Sequence, residues 1–397
     1  MAKTWPVSLL PLEKVTDKQL QILGEILWSW ILCEECRTGR SCTTQACPSQ
    51  RFKRLGRFFE HYKGLTASYE ADAAPGDCAA LSTHEDLFAI IKQLKLNPDI
   101  TRAEFAAKVF RDDTSRRLPS SADRERAINL AVKVIAMVNC SAQRQSSGLL
   151  EHGLSQAPWR SDVTLAQFLV DIFPMTDHPS LNDDDLKGSM DLKAALMAKK
   201  LKKRIGLKLL PTDDLRRHLK LDRKTRVVEI YHHTAFLKEH LRLTKDKAPN
   251  MSVSESIRFG ALPRQLALEC LDSVQKILFP LTDRKSKSLL LSLISTSSFD
   301  PDCLRFDSAS IRNNDEKDIA YHYFGEHLAE LYDELENPTP RGSFEKWLER
   351  RSGARYVMLA TLIGVIFAVI LGMAGLAVGG YQAWVGYQQW QHPVSSA

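Results

Sequence analysis

Residues 356–381 run on without one side chain charged at neutral pH, and that stretch limits what the chain can be. The hydrocarbon core of a bilayer is about 30 Å thick, so a spanning helix needs roughly 20 apolar residues. A signal peptide has a shorter apolar core at the N-terminus. The opening MAKTWPVSLLPLEKV lacks its basic-then-apolar layout, and is not the Arg-rich amphipathic pattern of a matrix-targeting peptide. A buried helix of a soluble domain is the bland alternative, but a run this long and uncharged fits a span better. Trp347 precedes the run, Tyr356 and Tyr381 stand at its two ends, and Trp384, Tyr387 and Trp390 follow it, as aromatic rings do at headgroup boundaries. One membrane-spanning helix is expected.

Charge orients it. Lys346, Arg350, Arg351 and Arg355 crowd the N-terminal flank, and no Lys or Arg follows Arg355. Basic flanks stay in the cytosol, so the large N-terminal region is expected there, on a single-pass, tail-anchored protein. The tail lacks the basic residues of an outer-mitochondrial address, which favours the endoplasmic reticulum or the membranes it feeds. Within the run, Ala360, Gly364, Ala368 and Gly372 recur every four residues, and Gly375 and Gly379 form a GxxxG. Such a stripe admits close helix–helix packing and self-association, although glycine and alanine are common in spans anyway.

About 345 residues precede the anchor, enough for one large or two ordinary domains. The formal net charge is +6, but residues 187–226 hold 14 Lys/Arg against 4 Asp/Glu, leaving the remainder slightly acidic. No repeat at a solenoid period is visible. The expected divisions are an N-terminal helical, Cys-rich segment (1–70), a helical cytosolic domain (82–335), a linker with an interfacial helix (336–355), the span (356–381) and a short lumenal tail (382–397).

Four of the eight cysteines cluster at Cys33, Cys36, Cys42 and Cys47. Two close pairs of thiolates suit tetrahedral zinc, and Cys33-x2-Cys36 has the usual spacing. Cys42-x4-Cys47 is wide, and the five residues between the pairs are few for two knuckles. A redox CxxC belongs beside a βαβ pattern, which is absent here. Structural zinc and a loop of unliganded thiols both stay open.

Helical stripes fill most of the rest. Capping boxes at Thr16/Gln19, Ser82/Glu85 and Thr101/Glu104 predict helix starts. Residues 51–62 read as one basic-aromatic helix, 123–138 and 165–173 as core helices, and 186–205 as a helix ending at Gly206. Pro263 opens a further helix, and 315–336 reads as the last before the linker. Strands are expected only within 209–236, above all at 226–231.

Two functional readings compete with the bland ones. His218, His232, His233, Glu239 and His240 invite a membrane-associated enzyme using residues 218–240, yet no ligand-spaced motif such as HExxH is present. The run 199–204, KKLKKR, suits a nuclear or nucleic-acid patch, contact with anionic lipid, or a solvated helix face. A nucleic-acid partner is not expected. Phosphate loops, dinucleotide fingerprints, nucleophile elbows and the kinase set are all missing.

Several strings stand out together: Thr212-Asp-Asp-Leu-x2-His218-Leu with Tyr231-His-His-x2-Phe-Leu, Gly260-Ala-Leu-Pro-Arg-Gln265-Leu, Phe299-Asp-Pro-Asp302, Glu330-Leu-Tyr-Asp-Glu334, and Trp347-Leu-Glu-Arg-Arg-Ser-Gly-Ala-Arg-Tyr356. With these strings the chain resembles an uncharacterised family of C-terminally membrane-anchored helical proteins from filamentous fungi. The resemblance covers roughly 120–395 and implies a helical cytosolic region on a single-pass membrane protein in a fungal cell. It implies no activity. The expected fold is mainly α, and the expected role is a membrane-tethered interaction or regulatory protein. Its partners would be the bilayer and an unidentified cytosolic protein, with zinc as the one metal considered.

Overall fold

The computed structural model describes residues 10–38, 42, 47–71, 78–111, 118–141, 156–178, 193–247, 251–339 and 355–391. It is mainly helical, as the stripes predict, and divides into two units, Met1–Asn337 and Pro338–Ala397.

Local chemistry sets most helix starts in the first unit. Helix α1 (Asp17–Trp28) opens on a capping box in which Thr16 and Gln19 satisfy each other's backbone amides. It stops at Ser29, which takes a left-handed φ of 51°. Short helices α2 (Glu34–Arg37) and α3 (Ser49–Phe52) follow. A 3-10 turn at Lys53–Leu55 then leads into α4 (Gly56–Ala67), so the expected helix over 51–62 is jointed. Its three arginines are paired: Arg51 with Glu239, Arg54 with Asp307 and Arg57 with Glu60.

Helix α5 (His84–Leu96) begins one residue later than expected. Thr83 and Asp86 form the box, because the Asp86 carboxylate reaches the amides of both Ser82 and Thr83. The Thr101/Glu104 box opens α6 (Arg102–Val109) as expected, and Ser120 caps α7 (Ser121–Ala136). A two-residue parallel pair, β1 (Cys140–Ser141) and β2 (Ala157–Pro158), escaped the sequence reading. Helix α8 (Leu165–Ile172) ends before Pro174.

The expected continuous helix over 186–205 is broken. Residues 186–192 lie outside the described chain, and Met197 is extended (ψ 133°) where it begins α9 (Ala198–Ile205). Gly206 then closes α9 in the left-handed region (φ 67°), which glycine adopts without a Cβ penalty.

A three-stranded sheet follows, in the order β3-β5-β4. Strand β3 (Lys208–Thr212) pairs in parallel with β5 (Val227–Tyr231), and β4 (Leu221–Asp222) pairs antiparallel to β5. Thr212 is thereby set beside Tyr231, so Asp213 and His232 leave the sheet side by side. Helix α10 (Thr234–Thr244) starts directly after.

Helix α11 (Val253–Phe259) opens on an unforeseen Ser252/Glu255 capping box. Helix α12 (Arg264–Asp272) continues as a π-helical turn, Ser273–Leu278. Then come α13 (Arg284–Ser297), α14 (Ser308–Ile311) and α15 (Gly325–Glu336). The sequence predicts helix from residue 315, but the chain before Gly325 is irregular. The reason is Glu269 on α12. Its buried carboxylate accepts from the amides of His322, Tyr323 and Phe324 at 2.8, 2.8 and 3.0 Å, so a distant acceptor replaces the i−4 carbonyls. One contiguous apolar core runs through this unit from Leu12 to Leu335.

The second unit is described as one helix, α16 (Arg355–Gln391), of 37 residues and about 55 Å. Thr361–Gln391 is apolar enough to cross a membrane, and its described side chains are exposed almost throughout. The expected span over 356–381 lies inside it, with Tyr381 and Trp384 exposed beyond the glycines. Trp347, Arg350 and Arg351 lie outside the described residues, as do the side chains of Arg355 and Tyr356.

Candidate metal centre

The turn after α1 builds the thiol cluster. Trp30 folds back so closely that a Cβ on Gly24 would stand 2.5 Å from its ring. Its indole N–H donates to Glu239 (3.0 Å), fixing the chain as it reverses. Cys33 then caps α2 and Cys36 lies on it, while Cys47 precedes α3.

All four sulfurs lie within 4.8 Å of one another. Cys33–Cys42 and Cys36–Cys47 are each 3.6 Å apart, far beyond a disulfide bond of about 2.05 Å, and all eight cysteines of the chain are free thiols. Tetrahedral zinc with Zn–S bonds of about 2.3 Å would set its sulfurs about 3.8 Å apart. The cluster is therefore close to the size that a zinc centre with four thiolate ligands requires. The wide Cys42-x4-Cys47 spacing is no obstacle, because Cys47 is brought back beside α2. The thiols are electrostatically unequal. Burial works to raise Cys47, but the backbone amides of Cys33 and Ser49 overcome it and bring the thiol down to about 6. Cys36, in spite of the Ser49 hydroxyl, is pushed up to about 12 by burial and the neighbouring sulfurs.

The histidine-rich region does not assemble as one site. His218 Nδ1 accepts the amide of Tyr231 (3.1 Å), and burial keeps the ring neutral, so its proton sits on Nε2. Nε2 therefore donates to Ser273 Oγ (2.6 Å), which in turn donates to the carbonyl of Cys270 (2.8 Å). A serine–histidine pair so arranged has no free base to activate its hydroxyl. Glu239 is held by Arg51, Arg242 and Trp30. His240 is buried against Gly260.

His233 has different company, which the sequence reading missed. Asp213 receives His233 Nε2 at 2.6 Å, His61 Nδ1 at 3.2 Å and His232 Nε2 at 3.4 Å. Burial pushes His233 down to about 3, reinforced by the neighbouring His232. Asp213 lies well below the usual carboxylate range: its hydrogen bonds to the three imidazoles outweigh its own burial. No local spacing links His61 to His233. The only local hint was an aspartate just past a strand that ends beside another.

Behind His232, the amide of Asp300 donates to Nδ1 (3.1 Å). Burial raises the Asp300 carboxyl to about 7, with Asp302 adding repulsion. Its folded value thus lies above the unfolded 3.8. Stability from this group is full below pH 4 and is lost as pH rises towards 7, by up to about 1.4 kcal/mol per unit. Asp300→Asn keeps the Oδ1 that accepts from Asp302 (2.9 Å) but cannot ionise. We expect the variant to match the wild type in thermal melts at pH 4 and to exceed it at pH 8, by on the order of 2–4 kcal/mol. Equal melting at both values would refute this.

In the run 199–204, Lys199 pairs with Asp283 (2.7 Å), while Lys202, Lys203 and Arg204 are exposed on the outer side of α9. Ala198, Leu201 and Ile205 are buried on its inner side. No family model, curated protein or solved structure matches this chain.

Proposed function

We propose that this protein is a single-pass membrane tether. Helix α16 holds it in a bilayer, and the Met1–Asn337 unit presents a helical surface to a cytosolic protein partner. The observation that carries the reading is Thr361–Gln391, a 31-residue helix whose most apolar 18-residue window has a mean hydropathy of 2.6 and is not buried at all. Soluble proteins rarely leave so long an apolar surface in water, and burying it in lipid removes that cost. The cytosolic orientation is supported by the basic flank up to Arg355 and the absence of Lys or Arg after it. The endoplasmic reticulum, or membranes downstream of it, is the proposed address. Gly364, Gly372, Gly375 and Gly379 have open space where a Cβ would stand, and pairing of copies along that face belongs to the same proposal.

The test is topological. With both ends tagged, one portion of the membranes is extracted with alkaline carbonate and a separate portion, kept as intact vesicles, is treated with protease. Retention in the pellet with only the C-terminal tag protected supports the reading. Release from the membrane, or protection of the N-terminal tag, overturns it.

The same proposal gives Cys33, Cys36, Cys42 and Cys47 a structural zinc ion. Four thiolates leave no open coordination position, so this centre would staple the turn between α1 and α3 rather than catalyse. Full-length protein purified in detergent should carry thiolate-bound zinc, and Cys33→Ser/Cys36→Ser should lose it and melt at a lower temperature. Wild-type protein whose four thiols react freely with a thiol reagent, unchanged by added zinc, would sink the zinc reading.

A further inference from the structure

The Asp213 cluster occupies a place where folds build sites: the carboxyl ends of two parallel strands. Asp213 directly follows β3, His233 is the second residue after β5, and α4 lays His61 across them. The ligand atoms of His61, Asp213 and His233 lie within 4.8 Å of one another. His61 Nδ1 and His233 Nε2 address different oxygens of the one carboxylate.

The protons decide which imidazoles are able to ligate. His232 Nδ1 accepts the amide of Asp300, so a neutral His232 carries its proton on Nε2 and donates to Asp213. It orients the carboxylate and has no lone pair to offer there. In His61 and His233 the near-side proton is held by Asp213 alone, so an ion that binds the carboxylate removes what keeps it there. His61 Nε2 and His233 Nδ1, the nitrogens facing away, are buried and have no hydrogen-bond partner. Each ring is able to hold its proton on that far nitrogen and turn a lone pair toward Asp213.

We propose that His61, Asp213 and His233 form a binding site for a divalent first-row transition-metal ion, separate from the four-cysteine centre. Two imidazoles and one carboxylate suit such an ion rather than magnesium or calcium, which favour all-oxygen shells. The Asp213 side chain is 49% exposed, which leaves coordination positions open to solvent. His232 is a positioning residue, holding Asp213 as outer-shell partners hold metal-binding carboxylates.

The experiment is a cobalt(II) titration of metal-stripped, reduced full-length protein in detergent micelles. Thiolate-bound cobalt shows intense sulfur-to-metal charge transfer, and a nitrogen–oxygen site shows only weak visible bands. The expected result is two classes of site. Asp213→Ala and His61→Gln should each abolish the weak-band site and leave the charge-transfer band intact. His232→Leu should weaken the site by about 10–100-fold without abolishing it. Circular dichroism checks that each variant is folded. If the four-cysteine reading is wrong and this one right, wild-type protein binds cobalt without charge transfer, and Asp213→Ala removes that binding. Overturning results are a wild-type protein with only the charge-transfer class, or folded Asp213→Ala and His61→Gln variants that keep the weak-band site.

Discussion

Phe367→Arg combined with Leu371→Arg is expected to move this protein from the carbonate-resistant membrane pellet into the supernatant. Both residues are exposed near the centre of the uncharged run. An arginine at a helix centre costs about 2.5–3.5 kcal/mol on insertion scales, whereas each Leu, Ile, Phe or Val gains about 0.3–0.6. Two arginines therefore cancel the gain of many apolar neighbours. Their position near mid-span also limits how far their side chains reach toward the headgroups. Phe367→Leu with Leu371→Ile is the control and should stay in the pellet. If the double arginine variant stays there too, α16 is not what holds the protein on membranes.

The largest stability effect is expected from Lys238→Met. Lys238 and Asp302 are 1% and 2% exposed, with Nζ 2.6 Å from Oδ2. Nζ also donates to the carbonyls of Asp302 (3.1 Å) and Arg305 (2.6 Å), joining α10 to the 3-10 turn Pro301–Leu304. Burying the two charges costs nearly what their attraction returns, so the pair adds little net stability. Removing one partner is another matter. Methionine fills the space but strands the Asp302 charge, at a cost of about 3–5 kcal/mol. Lys238→Met/Asp302→Asn should recover part of that loss, because no uncompensated charge is left. Denaturant unfolding of the three proteins at neutral pH is the measurement. A Lys238→Met protein within about 1 kcal/mol of wild type would show that water reaches Asp302 and solvates it.

What was legible in the sequence was what depends on neighbours along the chain. The candidate span, the Thr16 and Thr101 boxes, strand β5 and the cysteine cluster all rest on residues a few positions apart. The shift from Ser82 to Thr83 shows the limit of that reasoning, since either hydroxyl fits a capping pattern and the Asp86 carboxylate decides between them. The irregular chain before Gly325 was out of reach because its acceptor, Glu269, belongs to another helix. The His61–Asp213–His233 cluster was hidden for a similar reason. It exists only once β3 and β5 are paired in parallel with Thr212 beside Tyr231. Reading the histidines along the chain grouped His218, His233 and His240, which the fold sends to different partners.

The π-helical turn at Ser273–Leu278 bears on how one helix serves this core. A wide turn takes in an extra residue, so the buried stripe that follows is rotated relative to the stripe before it. Before the turn, Arg264–Asp272 packs on α10; after it, the helix meets α9 and the Pro301–Leu304 turn. The insertion works as a phase change, letting a single rod face two neighbourhoods that a regular helix would have to choose between. Deleting one residue within 273–278 would restore regular winding and at the same stroke turn one half of the rod away from its partners.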